Sequence, residues 1–406
     1  MAREKYNLIQ ELNKKANELK GDKRLSLVGQ GDFPGANNVM RGTMNIKHHV
    51  QHLTIDDPEF PFLYDGKENI AGKYSSFYFK TDKKYKIVNI IKKYDELLKG
   101  KSYIALYFLY NKKDDEYIVI ERKEAESLTE NYGFSYNNSF LDHAEIGEVI
   151  PKDTILYSST SYDDFGNVSS GINGRIMYAV HPAVEEDAII VSESFAKRMV
   201  TNTVTPISIM LSDNTILLNL YGDKDNYKGL PDVGEVINSG IVAATRTIKE
   251  ARMFSDMRDN SLMITNEQSD QKYYGEGEII DITVYCNNPE VKPNKVNKQL
   301  LRYYKDSKWF YTEVYKQCKE IMHSGAKNID IEIDHWMKKA QDYLDEEAKW
   351  LVSDSIFHGF IVELLVRKKE RIITGRKIVG GTGNFHSFKC QPTLKYMNCN
   401  WNSLNN

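Results

Sequence analysis

Cysteine is scarce, four residues in a chain of 406, and no two of them form a Cys-x-x-Cys pair. That spacing excludes a zinc ribbon and a redox dithiol. Cys286, Cys318, Cys390 and Cys399 are expected as reduced thiols in a cytosolic setting. Long apolar runs are missing too, so no helix is expected to span a bilayer. The opening Met1-Ala2-Arg3-Glu4-Lys5 leads into mixed polar sequence without the apolar stretch of a secretory signal. An excess of charge of either sign is also lacking. The 54 Lys and Arg nearly balance the 57 Asp and Glu, leaving a net charge of −3. No whole-molecule field therefore gathers nucleic acid, and any polyanion site has to be local.

What remains is ordinary globular composition, 27% charged and 41% hydrophobic, with room for two or three domains. Apolar residues Tyr6, Leu8, Ile9, Leu12, Ala16 and Leu19 recur at helical spacing, and Gly21 stops that helix. The glycines of 29–35 lack the strand-turn-helix context of a dinucleotide site. From Tyr74 to about Ile190 the pattern is mainly strands, including 76–80, 103–107 and 117–120. Turns at Asp114-Asp115 and Asn137-Asn138 separate them. An internal echo joins Ile146-Gly147-Glu148-Val149-Ile150 to Val233-Gly234-Glu235-Val236-Ile237, each a short β run beside a glycine turn. Strand texture continues to Tyr285. Two long amphipathic helices follow over 296–323 and 333–352, split at Ser324-Gly325, and their aromatic stripes read as packing seams. A β run over 360–366 then leads into the basic residues Arg367, Lys368, Lys369, Arg371, Arg376 and Lys377. A β region, a large insertion and a returning strand suggest one barrel assembled from distant segments.

Three stretches could carry chemistry. In the first, Glu185, Glu186 and Asp187 stand together before an apolar run, with Ser192 placed to cap a helix over 193–200. Such close like charges need solvent, a cation or a divalent metal to neutralise them; the plain alternative is an acidic loop before a strand. In the second, 366–384, the glycines of Thr374-Gly375-Arg376-Lys377-Ile378-Val379-Gly380-Gly381 would let backbone approach phosphate. Lysine supplies an oriented point charge there, and a solvated basic strand is the alternative. The third stretch, 36–49, holds Arg41, Lys47 and His48. His48 and His52 could share a helix face, but the glutamate of a metalloprotease helix is missing, so polyanion contacts by Lys47 and His48 are the favoured reading.

Taken in this order, and with a further stretch at 231–285, these motifs resemble the beta-type, second-largest subunit of multisubunit DNA-dependent RNA polymerases, over roughly residues 25 to 384. The resemblance implies that Glu186 and Asp187 lie near a second Mg²⁺ and the phosphates of the incoming NTP. It places Lys377 at the RNA 3′ region with Arg376 beside it, and Lys47, His48 and Arg41 against the same nucleic acid. The main catalytic Mg²⁺ is expected on a beta-prime-type partner. Such a division suits nucleotidyl transfer, an in-line displacement helped by metals and cations. Sequence-independent holding of an RNA–DNA hybrid needs backbone cations rather than base readers.

Two positions depart from the family pattern. Asn38 stands where the family has a triphosphate-contacting arginine, and Phe385 where it has a second lysine. Residues 386–406 resemble nothing in the family, and an interruption of the reading frame is expected there. The pattern is similar to the split beta-type polypeptides of giant bacteriophages. The expected partners are therefore beta-prime-type chains, an N-terminal-half beta-type chain, template DNA, the RNA transcript and NTPs, in host cytoplasm or packaged in the virion. The expected fold is α+β and mostly β: a double-psi-barrel-like hybrid-binding core, an inserted flap-like β domain and two long helices. Its divisions are 1–24 (N-terminal helix), 25–200 (first barrel part), 201–290 (flap-like), 291–353 (helical), 354–384 (returning strand) and 385–406 (tail). A non-catalytic scaffold that keeps the barrel is the competing expectation; a stand-alone nucleic-acid binder is disfavoured by the near-neutral charge.

Overall fold

Alternating burial along extended segments gives the middle of the chain its sheets. The computed structural model describes residues 57–59, 77–94, 102–129, 132–160, 162–163, 171–175, 192–212, 214–223, 226–247, 269–287, 296–345, 351–352, 355–356 and 358–371. The first strands are β1 (Tyr78–Lys80), β2 (Tyr85–Lys92), β3 (Ala105–Asn111), β4 (Glu116–Arg122), β5 (Ala125–Thr129) and β6 (Tyr132–Asn137). A short helix α1 (Ser139–His143), β7 (Val149–Ile150), β8 (Ile155–Ser159) and helix α2 (Glu193–Arg198) follow. Next come β9 (Val200–Ser212), β10 (Thr215–Leu217), β11 (Val236–Ile237), β12 (Ile241–Thr247), β13 (Gln271–Tyr274) and β14 (Gly277–Asn287). The described residues end with α3 (Lys298–His323), β15 (Asn328–Ile329), α4 (Ile331–Asp345), β16 (Leu351–Val352), β17 (Ser355–Ile356) and β18 (Gly359–Arg371). The chain is α+β and mostly sheet.

Two sheets carry the architecture, one ordered β15-β4-β3-β2-β7 and the other β11-β14-β18-β9. In β3 the alternation sends Ala105, Tyr107 and Leu109 into one core and Leu106 and Phe108 into another, so the strand is covered on both faces. The second sheet gathers strands from segments 200–212, 236–237, 277–287 and 359–371, as a discontinuous β core requires. β9 and β18 pair over their full lengths, from Gly359↔Ser212 to Arg371↔Val200. Leu300 and Tyr303 of α3 join the core of the second sheet, while Phe310, Val314, Cys318 and Ile321 join the core of the first, together with Ile333, Trp336, Ala340 and Tyr343 of α4. The aromatic stripes are packing seams, as their spacing suggested. Burial pushes the Cys318 thiol up to about 12, and Cys286 and Cys318 are both unbridged.

Some boundaries differ from expectation. The second long helix runs Ile331–Asp345, and Leu351–Val352 pairs with β17 instead of extending it. Asn137-Asn138 leads into α1 rather than closing a simple turn. The helix capped by Ser192 stops at Arg198, because β9 begins at Val200.

The echo seen in the sequence is a structural repeat. Gly147 N donates to Ile87 O (2.9 Å) and Ile87 N to Glu148 O (2.9 Å). In the other sheet Gly234 N donates to Ile279 O (2.8 Å) and Ile279 N to Glu235 O (3.0 Å). Glu145 N donates to Glu148 Oε2 at 3.1 Å, and Asp232 N to Glu235 Oε2 at 2.9 Å. The register then breaks at the same place, between Ile87 and Asn89 and between Ile279 and Asp281. Gly147 and Gly234 have φ of 92° and 88°, a conformation that favours glycine. Thus β4-β3-β2-β7 and β9-β18-β14-β11 are two antiparallel units of one design.

Asp232 ties the second unit to α3. Its Oδ1 accepts from Arg302 (2.6 Å), Tyr303 OH (2.6 Å) and Gln299 Nε2 (3.2 Å), and Lys228 Nζ lies 2.9 Å from Oδ2. Burial alone would raise this carboxyl. The hydrogen bonds from Tyr303 and Lys228 and the charges of Arg302 and Lys228 outweigh it and hold the group at about 2. A folded pKa below the unfolded value of about 3.9 means the tie contributes fully above that value and fades as pH falls toward 2. Because Asp232 is about one-third exposed, screening limits the contribution to about 1 kcal/mol. Asp232→Asn should therefore lower the urea midpoint at neutral pH, with the gap to wild type narrowing below about pH 4. A gap independent of pH would remove the charge from the account.

Candidate functional site

The residues nominated by sequence, Arg41, Lys47, His48, Glu186, Asp187, Arg376 and Lys377, all lie outside the described residues. What the structure defines is the frame their segments leave from, and that frame converges on α2.

Ser192 opens α2 by accepting a hydrogen bond from Phe195 N at 3.2 Å, which satisfies one of the free donors of the first turn. The Phe195 ring lies 2.8 Å from where a Cβ on Gly174 would fall, so a larger residue there would push the ring aside. Arg198, at the other end of α2, donates to Glu59 Oε1. The second oxygen of Glu59 accepts from Asn173 N (3.0 Å) and Asn173 Nδ2 (3.2 Å), and Glu59 N donates to Gly171 O (2.7 Å). The hydrogen bond from Arg198, followed by those from Asn173, holds the Glu59 carboxyl below its ordinary range. Three separate segments, 57–59, 171–175 and 192–198, are thereby fastened together.

The fourth segment arrives through the sheet. Val200, two residues past α2, pairs with Arg371 at the last position of β18, and α2 packs beside that strand. Beneath this end β9 buries three consecutive polar residues, Thr201, Asn202 and Thr203, and Thr203 Oγ1 donates to Lys368 O at 3.3 Å. Glu59 follows the Lys47–His48 stretch, the interval from Arg175 to Ser192 contains Glu186 and Asp187, and Arg371 precedes Arg376 and Lys377.

Two of the basic residues leading into this end are already committed. Arg367 bonds Glu124 (2.8 Å) and Glu278 (2.5 Å), and Tyr103 OH also donates to Glu278. Lys368 lies 3.0 Å from both Glu276 and Glu370. These two are structural: Arg367 ties β18 to β14 and to the link between β4 and β5, and Lys368 ties it to the turn between β13 and β14. Among the described residues, no group of three or more His, Cys, Asp or Glu side chains could hold a metal ion, and no helix is long and apolar enough to cross a membrane.

Sequence reasoning missed a second cluster, buried between the two sheets. Lys93 Nζ donates to Asp281 Oδ1 (2.6 Å) and Oδ2 (2.7 Å) and to Thr283 Oγ1 (2.5 Å). Tyr94 OH lies 2.6 Å from Asp281 Oδ1 and 2.7 Å from Ile282 O, and accepts from Ile282 N at 3.0 Å. Lys93 is 2% exposed. Burial lowers its pKa, and the Asp281 charge opposes that. With every ammonium and carboxylate direction filled by protein, this cluster joins the two units and has no group facing a substrate. Its one sequence signal is an aspartate within the apolar run Ile279–Tyr285.

Comparison of the sequence with protein-family models and with curated proteins gives no match to either, so the frame around α2 and the motifs that flank it are what a functional reading has to rest on.

Proposed function

We propose that this chain is a fragment of the beta-type subunit of a phage multisubunit DNA-dependent RNA polymerase, acting in transcription only within a multi-chain enzyme. The observation that carries this reading is the convergence at α2. The described segments nearest the three candidate stretches meet at one end of the β9–β18 pair, although they are far apart in sequence. A chain extends at most about 3.3–3.6 Å per residue, so six residues beyond Arg371 reach about 20 Å and five residues before Ser192 about 17 Å. The frame therefore permits Asp187 and Lys377 to serve one polyphosphate. The assembly of one sheet from β9, β11, β14 and β18 is in keeping with a core built from distant segments, and the small sheet β10-β12-β13 supports a flap-like insertion between β9 and β14.

In this reading Glu186 and Asp187, adjacent hard carboxylates, would help to hold a second Mg²⁺, which supplies charge compensation at the NTP phosphates. Lys377 and Arg376 would neutralise RNA phosphates near the growing end, with Lys47, His48 and Arg41 flanking the same RNA. The chain's contribution is positioning and electrostatic stabilisation rather than a covalent step.

Native purification of the chain should bring down beta-prime-type polypeptides in stoichiometric amounts. In the assembled enzyme Lys377→Ala should release the hybrid faster, and the defect should grow with salt as the remaining phosphate contacts are screened. Purification without such partners would favour the second reading, a non-catalytic scaffold. That reading draws support from the commitment of Arg367 and Lys368 to ion pairs and from Phe385 at the second lysine position.

A further inference from the structure

The two sheet units share a loop design, yet only one of the two loops is covered. In the second unit Val233 and Ile280 are each 5% exposed and belong to one core with Leu300 and Tyr303 of α3. Tyr303 OH lies 3.4 Å from Val233 N, and Gln299, Arg302 and Tyr303 all bond the Asp232 carboxylate. One turn and a half of helix thus seats two apolar side chains on the loop and supplies an amide, a guanidinium and a hydroxyl to its acid.

The matching positions of the first unit are Glu145 for Asp232, Ile146 for Val233 and Val88 for Ile280, fixed by the same hydrogen bonds and the same register break. There Ile146 is 62% exposed and Val88 37%. The charge balance differs in the same sense. Asp232 takes Lys228 and Arg302, and Glu235 takes Lys228, whereas no lysine or arginine among the described residues pairs with Glu145 or Glu148. Lifting α3 away would expose Val233 and take the arginine from Asp232, leaving Lys228 in place; the first unit shows that bared apolar residue and acid at Ile146 and Glu145, without even the lysine. Val149 and its counterpart Val236 are exposed in both units, 46% and 61%, so they mark the rim of the site and not its floor.

We propose that Glu145, Ile146 and Val88 form a docking site for an amphipathic helix of a partner chain. That helix would place an apolar–aromatic pair on Ile146 and an arginine on Glu145, the chemistry with which α3 occupies the equivalent site. The described long helices of this chain, α3 and α4, are seated in the cores already described, and the loop faces outward with acid at its edge. A partner is therefore expected to be basic on its docking face. The inference stands apart from the polymerase reading, because it uses only the internal repeat.

The sequence of α3 supplies the probe. A stapled, fluorescein-labelled peptide of residues 297–312, titrated with the full chain and followed by anisotropy, should bind saturably. Staple-enforced helicity removes the cost of folding a short helix in water. Ile146→Ser and Glu145→Lys should each weaken binding at least about 10-fold, as loss of a central anchor does. Val149→Ser should leave it unchanged. A peptide carrying Arg302→Glu should recover affinity for the Glu145→Lys chain. All three substituted side chains are exposed, and circular dichroism of each variant checks that the fold is intact. Absence of saturable binding, or binding that ignores Ile146→Ser, overturns the proposal. A photo-crosslinker at position 146 that labels residues 1–56 of the same chain, or a second copy, would also overturn it by assigning the face to another occupant.

Discussion

Asp281→Ala is expected to destabilise the chain by about 3–5 kcal/mol, because it strands the buried Lys93 ammonium without its counter-charge. Domains of ordinary stability hold only about 5–15 kcal/mol in total, so the variant should unfold at markedly lower urea or appear in the insoluble fraction. The loss is large because of what remains and not because the ion pair is strong. Lys93 gives Nζ hydrogen bonds to both carboxylate oxygens and to Thr283, and Tyr94 OH completes the shell of Asp281. With the carboxylate gone, the Thr283 hydroxyl alone still faces an ammonium 2% exposed to solvent, too little to replace its hydration. A double variant, Lys93→Met with Asp281→Leu, should recover most of the loss, since exchanging a buried pair for apolar residues of similar size is often neutral. If the double variant is as unstable as the single, the pair specifies geometry that apolar packing cannot supply. If Asp281→Ala costs less than about 1 kcal/mol, the cluster is not the joint between the sheets.

This cluster also shows where reading the sequence stops. Lys93 follows Lys92 in what looks like a solvated strand end, and Asp281 is 188 positions away. Periodicity can locate each strand but cannot pair two residues across that separation. The strands themselves were legible, though not their full lengths: the β-branched and aromatic runs at 103–107, 117–120, 277–285 and 360–366 overlap β3 (Ala105–Asn111), β4 (Glu116–Arg122), β14 (Gly277–Asn287) and β18 (Gly359–Arg371). The helix pair and its break at Ser324-Gly325 were also legible, Gly325 having φ of 75°. The pentapeptide echo was visible but its meaning was not, because the shared hydrogen bonds run to Ile87 and Ile279, which carry no motif of their own. The basic run after Val366 looked uniform, yet Arg367 is drawn into ion pairs with Glu124 and with Glu278 of β14, and Lys368 with Glu276. Net charge along a segment does not reveal which cations are spoken for. The nominated site residues lie outside the described residues; beside them, the Ser192 cap read from the sequence is borne out by its hydrogen bond from Phe195 N.

In the reconstituted multi-chain enzyme, Glu186→Ala combined with Asp187→Ala should slow nucleotide addition by about 10²–10³-fold, the usual consequence of removing a preorganised electrostatic element at a reacting phosphate. Assembly should be unaffected if the pair faces substrate, because α2 is fastened through its Ser192 cap and through Arg198 to Glu59. The defect should sit in kcat rather than in complex formation, since charge that develops during displacement is what the pair would stabilise. Glu313→Ala provides the control: that carboxylate pairs with Lys316 on the exposed face of α3, where an ion pair contributes little. Elongation at the wild-type rate with both carboxylates removed would leave 185–187 as an acidic loop before a strand. The convergence of segments at α2 would then describe only how the fold is fastened.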